Sequence, residues 1–411
     1  YKRQIADLAM AESSAEVAGA YGDAELTFGP EYLIPKPFDP RLIARIAPAV
    51  AKAAMDSGVA TRPIADLKAY AEKLTEFVYK TSLFMRPVFN QACKEIKRIV
   101  LTEGEDERVL HAAQHVASHK LAFPILVGDG KLIEERIAAQ GLTIQAGKDY
   151  ELIDIKNNPH YEESWKAYYS LRKRQGVTEE MARRLLKANS TLVGALMVKL
   201  GHADGLVCGT MGRFHDHFAV MEEVIGYNNP EKEAFAMNAL ISNKGNFFIA
   251  DTYINENPTA EQLAKGTLMC AAEMKRFGIK PKVALVSNSN YGSRRDADAT
   301  KMQQALEMIR ELDPELEIDG EMQADVALDD EMRRSIFPET TLSGAANLLV
   351  MPNVEAANIS YNLLRVNATN GITVGPILMG LNKPVQIVTP ISTVRRIVNM
   401  IALAAVDAQR Q

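Results

Sequence analysis

Arg98-Ile99-Val100-Leu101, the segment Glu107 to Lys120, and Pro124-Ile125-Leu126-Val127 decide the fold. The outer two are short apolar runs, and the middle one carries its apolar residues at a helical period. Such a strand–helix–strand rhythm reads as the start of a parallel sheet. The rhythm continues. Further strands are expected at Gly205-Leu206-Val207-Cys208, Phe247-Phe248-Ile249-Ala250, Val283-Ala284-Leu285-Val286, Leu348-Leu349-Val350-Met351 and Val385-Gln386-Ile387-Val388. Helices are expected between them at Glu163–Arg174, Glu179–Lys187, Leu192–Leu200, Ala260–Arg276, Ala297–Glu311, Ala356–Val366 and Thr393–Ala408. The fold class is therefore α/β, with mostly parallel sheets flanked by helices. Residues 99–411 are too many for one core and are expected to form two lobes. Lobe I covers about 99–230 plus 376–411, and lobe II about 231–375. Ligands bind at the carboxyl ends of strands, in the cleft between such lobes.

Residues 64–98 read as a helical linker, Ile64 to Thr81 and Pro87 to Ile96. Its aromatics Phe77, Tyr79, Phe84 and Phe89 suit packing against the next domain or an oligomer contact. Residues 1–63 differ again. A helix from Gln4 to Val17 is followed by four prolines in the eleven residues from Pro30 to Pro40, which forbid helix or central strand there. A second helix, Leu42 to Met55, stops at Gly58. This is too little chain for a core of its own. The chain opens on Tyr1, inside what reads as a helix, so a longer parent protein is expected.

The 411 residues are 47% hydrophobic and 24% charged with net charge −5, which excludes bulk disorder and lacks the basic field of a nucleic-acid binder. No apolar run is long enough to span a membrane. Cys93, Cys208 and Cys270 are too few and too widely spaced for a disulfide framework, and read as buried thiols in a reducing cytoplasm.

Few motifs carry chemistry on their own. His111 and His115 stand four apart on a helix but lack the Glu of a zinc-protease helix. His215-Asp216-His217 follows a strand. On an extended backbone both imidazoles face one side, but no third ligand is evident, so a polar cleft wall is expected rather than a metal site. Gly128-Asp129-Gly130 reads as a tight turn. Neither a Walker loop nor a GxSxG elbow occurs. Ser287-Asn288-Ser289-Asn290-Tyr291-Gly292-Ser293-Arg294-Arg295 follows a strong strand and leads into a helix. Small polar residues there can offer backbone N–H groups to a phosphate, and Arg294 and Arg295 add charge. A plain polar loop fits the same residues. Val374-Gly375-Pro376 is similarly placed but uncharged.

Several stretches from about residue 92 onward resemble the phosphate acetyltransferase family. They are Thr102-Glu103-Gly104-Glu105-Asp106-Glu107-Arg108-Val109-Leu110, Ala203-Asp204-Gly205-Leu206-Val207, Asn257-Pro258-Thr259-Ala260-Glu261-Gln262-Leu263-Ala264, Ile318-Asp319-Gly320-Glu321-Met322-Gln323, Ala357-Asn358-Ile359-Ser360-Tyr361 and Gly375-Pro376-Ile377-Leu378-Met379-Gly380. They come in the family's order and cover about three quarters of the chain. Residues 28–42 and Ser57-Gly58-Val59-Ala60 resemble the end of the catalytic region of bacterial malic enzyme. The large bacterial NADP-dependent malic enzyme family joins the two in this order. The resemblance implies a parent that oxidises and decarboxylates malate to pyruvate, with NADP and Mg or Mn held upstream of Tyr1.

Active phosphate acetyltransferases carry Pro-Val-Asn-Asp-Leu-Ser-Arg-Gly-Cys-Ser, followed shortly by an Asp. The resemblance gives the Asp the role of base, the Arg that of acyl-phosphate anchor, and the Ser that of charge stabiliser. Here the stretch runs Pro384 to Val398. Thr389 stands at the Ser, Pro390 at the Arg and Arg396 at the Asp, while another family arginine aligns with Ala219. Arginine cannot accept a proton near neutrality. The resemblance thus implies a degenerate transferase with no catalytic residue of its own. It is kept as an acetyl-CoA sensor that inhibits the parent by feedback through the linker. The expected acetyl-CoA site is Asn288, Ser289, Asn290, Tyr291, Gly292, Arg294, Arg295, Gly375, Pro376, Thr389, Pro390, Ile391 and Ser392, with no metal. The expected partners are the parent's catalytic domain and a second copy of the chain. Two alternatives stay open: an active transferase using His215, Asp216 or His217 as base, and a ligand-free oligomerisation scaffold.

Overall fold

The computed structural model describes residue 5 and residues 41–78, 80–242, 245–367 and 372–410. The helix expected from Gln4 to Val17 and the proline-rich stretch lie outside these. The chain divides into two compact units, Tyr1–Arg86 and Pro87–Gln411.

In the first unit, α1 (Arg41–Asp56) and α2 (Leu67–Val78) sit where the periodicity placed helices. Gly58, at φ +74°, ends the first. A third helix, α3 (Lys80–Ala92), contains the boundary between units. The expected linker, 64–98, therefore cedes its last dozen residues to the second unit. The cause is local: Val88 and Ala92 are buried, and the Gln409 amide donates to the carbonyls of Gln91, Ala92 and Glu95.

The second unit begins β1 (Arg98–Leu101), α4 (Glu107–Ser118), β2 (Phe123–Gly128), α5 (Gly130–Ala139), β3 (Glu151–Asp154), α6 (Tyr161–Arg172), α7 (Glu179–Ala188), α8 (Ser190–Lys199), β4 (Gly205–Cys208), α9 (Phe214–Val224). It continues β5 (Phe235–Ser242), β6 (Gly245–Ala250), α10 (Ala260–Arg276), β7 (Lys282–Val286), α11 (Ala297–Leu312), β8 (Glu317–Met322), α12 (Ala324–Leu328), α13 (Asp330–Ile336), β9 (Leu348–Val350), α14 (Val354–Asn367), β10 (Ile372–Met379), β11 (Val385–Ile387) and α15 (Val394–Ala408). One sheet has the order β11-β4-β1-β2-β3 and is wholly parallel. The other has the order β10-β5-β6-β9-β7-β8, parallel from β6 to β8, with β5 antiparallel to both neighbours.

β10 stays paired with β5 as far as Met379, so residues 376–379 go with the second sheet rather than the first. The strand passes through Gly375-Pro376 at a register shift. A bulge on an edge strand is where a sheet tolerates proline. The chain then returns to the first sheet through β11 and ends in α15, whose residues Ile397 to Val406 are all buried. It packs against α4, β4, β10 and β11, and so touches both sheets. Among the described residues no helix is long and apolar enough to cross a membrane. Cys208 and Cys270 are buried as expected, whereas Cys93 is exposed.

Candidate functional site

Parallel pairing of β11, β4 and β1 brings three strand ends to one edge: Thr389, Gly209-Thr210 and Thr102-Glu103. The backbone demands glycine at 209. Its φ is +99°, and a Cβ there would stand 2.5 Å from the Val388 carbonyl. The Gly209 N–H donates to Glu103 Oε2 at 3.0 Å, the Thr210 N–H and hydroxyl do so at 3.4 Å, and Thr102 Oγ1 donates to Oε1 at 2.8 Å. Burial pushes the Glu103 carboxyl up, and His217 and these donors oppose it. Glu103 thus holds the β1 and β4 ends together.

Arg108 holds the third. Its guanidinium donates to Pro390 O at 2.6 Å, Ser392 O at 3.0 Å and Thr210 O at 3.0 Å. It also grips both carboxylate oxygens of Asp106, the N-cap of α4. Within the 389–392 turn, Ser392 Oγ accepts from the Thr389 N–H at 3.1 Å. Thr389 and Ser392 are buried; Pro390 and Ile391 face outward.

The opposite wall comes from the second sheet. Arg396, in the first turn of α15, reaches across to Thr373 Oγ1 on β10. Among the described residues no carboxylate pairs with it. Burial lowers its pKa, Tyr361 opposes that, Arg365 adds like-charge repulsion, and Tyr253 opposes again. Gly375, two residues after Thr373, lies against Asn238: a Cβ there would meet Asn238 Oδ1 at 2.9 Å. Asn238 in turn donates to Thr252 Oγ1 at 2.6 Å. The Arg396–Thr373 bond ties the helix that follows the 389–392 turn to the strand that carries Gly375 and Pro376.

The 288–295 loop is arranged differently. It rests on β8, and no described contact links it to the 389–392 turn. Its amides are already committed: Asn290 N–H to Ser293 Oγ, Tyr291 N–H to Glu321 O, Gly292 N–H to Glu321 Oε1, and Arg294 N–H to Ser289 Oγ. These four N–H groups of the expected cradle thus donate within the protein, two to loop hydroxyls and two to Glu321 on β8. Tyr291 stacks on Phe337, with centroids 4.2 Å apart, and burial pushes its phenol up to about 12. The side chains of Arg294 and Arg295 are exposed, and Arg294 shares its charge with Asp296 at 3.4 Å.

The His-Asp-His motif is also corrected. It lies in helix α9 rather than on extended backbone, so its two imidazoles do not share a side. His217 is held at both nitrogens, by Thr191 Oγ1 at 2.9 Å and the Met211 carbonyl at 2.6 Å, and Asp216 pairs with Arg213. Glu103, Arg108 and Thr373 were not singled out from sequence. Glu103 and Arg108 fall in the 102–110 stretch that carried the family likeness, but their roles depend on partners about a hundred or more residues away.

The strand ends, the paired lobes and the turn before α15 define a class, and comparison with known proteins agrees. Residues 83–405 match the family model "Phosphate acetyl/butaryl transferase", and the chain belongs to that family. Phosphate acetyltransferase of Corynebacterium glutamicum is 34% identical over 331 residues, covering 79% of this chain and 98% of its own. A phosphotransacetylase from Streptococcus pyogenes superposes with a TM-score of 0.74 at 28% identity, over 80% of this chain and 99% of its own. EutD phosphotransacetylase from Staphylococcus aureus gives 0.70 at 30% identity, over 79% and 98%. More similar still is the NADP-dependent malic enzyme of Salmonella typhimurium, 58% identical over 407 residues and 99% of this chain. That match covers 54% of the malic enzyme, so the chain spans about half the length of such relatives. The transferase likeness leaves out the first residues, and the malic enzyme likeness includes them.

Proposed function

We propose that this chain is the acetyl-CoA-sensing part of a hybrid malic enzyme, a phosphate acetyltransferase scaffold that binds acyl-CoA without turning it over. The observation that carries the reading is Arg396. At the position where the family resemblance expects a proton acceptor stands a guanidinium tied to Thr373. It cannot take the thiol proton of CoA. Loss of a general base costs about 10²–10⁴ in rate. At the expected acyl-phosphate anchor stands Pro390, which has no donor; its carbonyl accepts from Arg108 instead. Of the other candidates for a base, His217 and Asp216 are engaged elsewhere, and His215 stands exposed on α9 with its ring edge-on to Phe214.

Binding needs less than turnover does. A nucleotide and pantetheine require shape, apolar contact and peripheral charge. Pro390 and Ile391 offer the contact, and Arg294 and Arg295 the charge. The catalytic region, with NADP and Mg or Mn, belongs in this reading to the rest of the malic enzyme, and its product pyruvate leads to acetyl-CoA. Acetyl-CoA bound here inhibits through the helices of 64–98, in a cytoplasmic homo-oligomer that dimerises through this domain. By linkage, malate and NADP alter acetyl-CoA affinity by the same factor. The test is malic enzyme activity of the longer protein against acetyl-CoA. Saturable inhibition is expected, lost in an Ile391→Asp variant; an activity curve flat in acetyl-CoA contradicts the proposal.

A further inference from the structure

His160, Glu163 and His202 come together although 42 positions separate the outer two, and they belong to no part of the cleft. His160 is the N-cap residue of α6, but its side chain makes no capping bond. Glu163 stands three residues on, on the same face of the first turn. His202 lies in the loop between α8 and β4. One ligand atom from each of the three lies within 4.8 Å of the others. His202 Nε2 is 2.8 Å from Glu163 Oε2, and the two imidazoles stack with centroids 3.9 Å apart. A hydrogen bond explains His202 and Glu163. It leaves His160 unexplained, since its ring has no hydrogen-bond partner among the described residues.

We propose that His160, Glu163 and His202 form a divalent transition-metal site, with zinc the best match, that clips the start of α6 to the loop entering β4. Two imidazoles and one carboxylate are a donor set zinc accepts, with water completing the tetrahedron. Donors at roughly 2.0–2.2 Å from one ion lie about 3.3 Å apart. Glu163 and His202 are near that spacing, and the site closes by turning His160 out of the stack. Glu163 is exposed and the imidazoles are half-buried, so side-chain rotation suffices. The sequence offered no hint of this: the three donors follow no metal-motif spacing, and the histidine pairs that did attract notice, 111/115 and 215/217, acquire no third ligand among the described residues.

The test is a calorimetric titration of the metal-free full chain with Zn²⁺, paralleled by the visible spectrum with Co²⁺. One equivalent is expected to bind, with a tetrahedral Co²⁺ spectrum free of a thiolate charge-transfer band. His202→Ala and Glu163→Gln are each expected to weaken it by at least ~10–100-fold. Cys93→Ser, which removes the one exposed thiol, is expected to leave it unchanged. Saturating zinc should raise the melting temperature of the unaltered chain by about 2–5 °C and leave that of His202→Ala unmoved. Without metal both chains should melt together, which shows the variant folded. No binding, unchanged binding in the two variants, or a thiolate band each overturns the proposal.

Discussion

Replacing Arg108 by alanine tests the architecture of the cleft most sharply. The side chain donates to three carbonyls, those of Thr210, Pro390 and Ser392, and grips Asp106 at both oxygens. Hydrogen bonds to charged groups contribute about 1.5–3 kcal/mol each when buried. Arg108 is a third exposed and Asp106 a tenth. The freed carbonyls regain water, and the ion pair is partly screened. The net loss expected is about 2–4 kcal/mol. For a unit of roughly 325 residues, 1 kcal/mol moves the melting point by about 1.5 °C, so a drop of about 3–6 °C is expected. The acid limb should move too. Burial alone raises Asp106, but its bonds to Arg108 outweigh that and hold it below the usual carboxylate range. A depressed carboxylate stabilises the fold above its unfolded value near 3.8 and loses that as pH falls through its folded value. In Arg108→Ala this contribution is gone, so the stability difference from the parent should shrink below pH 3.8. Arg108→Lys should fall between, since one ammonium cannot reproduce the fork. Melting curves from pH 3 to pH 7 and hydrogen exchange of residues 389–393 provide the assay. A variant that melts within about 1 °C of the parent, with the turn equally protected, refutes the reasoning.

Three further outcomes follow from particular contacts. Gly266 in α10 faces Phe235, and a Cβ there would lie 2.3 Å from the ring, so Gly266→Ala is expected to cost about 1–3 kcal/mol in urea unfolding despite alanine's better helix propensity. Glu273 is raised to about 7, first by burial, with Arg276 opposing and Asp407 adding to it. Its folded value exceeds the ordinary one near 4.5, so it makes stability fall as pH rises from about 4.5 to 7; Glu273→Gln should flatten that slope, measured by urea unfolding at pH 5 and 8. The unaltered chain should form no acetyl-CoA from acetyl phosphate and CoA, whereas Pro390→Arg with Arg396→Asp should give measurable turnover in the same assay.

The fold was legible where chemistry is local. Apolar β-branched runs located β1, β2, β4, β6, β7, β9 and β11, and helical periodicity located α10 from Ala260 to Arg276 without error. Four strands escaped: β3, only four residues long, and three with mixed signals. β5 reads Phe-Ala-Met-Asn-Ala-Leu-Ile-Ser, with few β-branched residues. β8 carries Asp319 and Glu321, buried and hydrogen-bonded. β10 contains Gly375-Pro376, which local rules assign to a loop. The site was half legible. The 389–392 turn could be found because its departures from the family pattern lie in one short stretch. The partners of the 288–295 amides, Glu321 above all, are remote in sequence and could not be read from the loop itself. The same distance hid Glu103 and Arg108.

The central claim is that the cleft binds acetyl-CoA without turning it over. Its most direct test is a calorimetric titration of this chain with acetyl-CoA, with free CoA as the comparison, followed by addition of inorganic phosphate as acyl acceptor to the acetyl-CoA cell contents and an assay for released thiol. Saturable micromolar binding of acetyl-CoA, weaker binding of CoA and no thiol released are the predicted results. Heat indistinguishable from dilution for both ligands, or progressive release of thiol, would contradict the account.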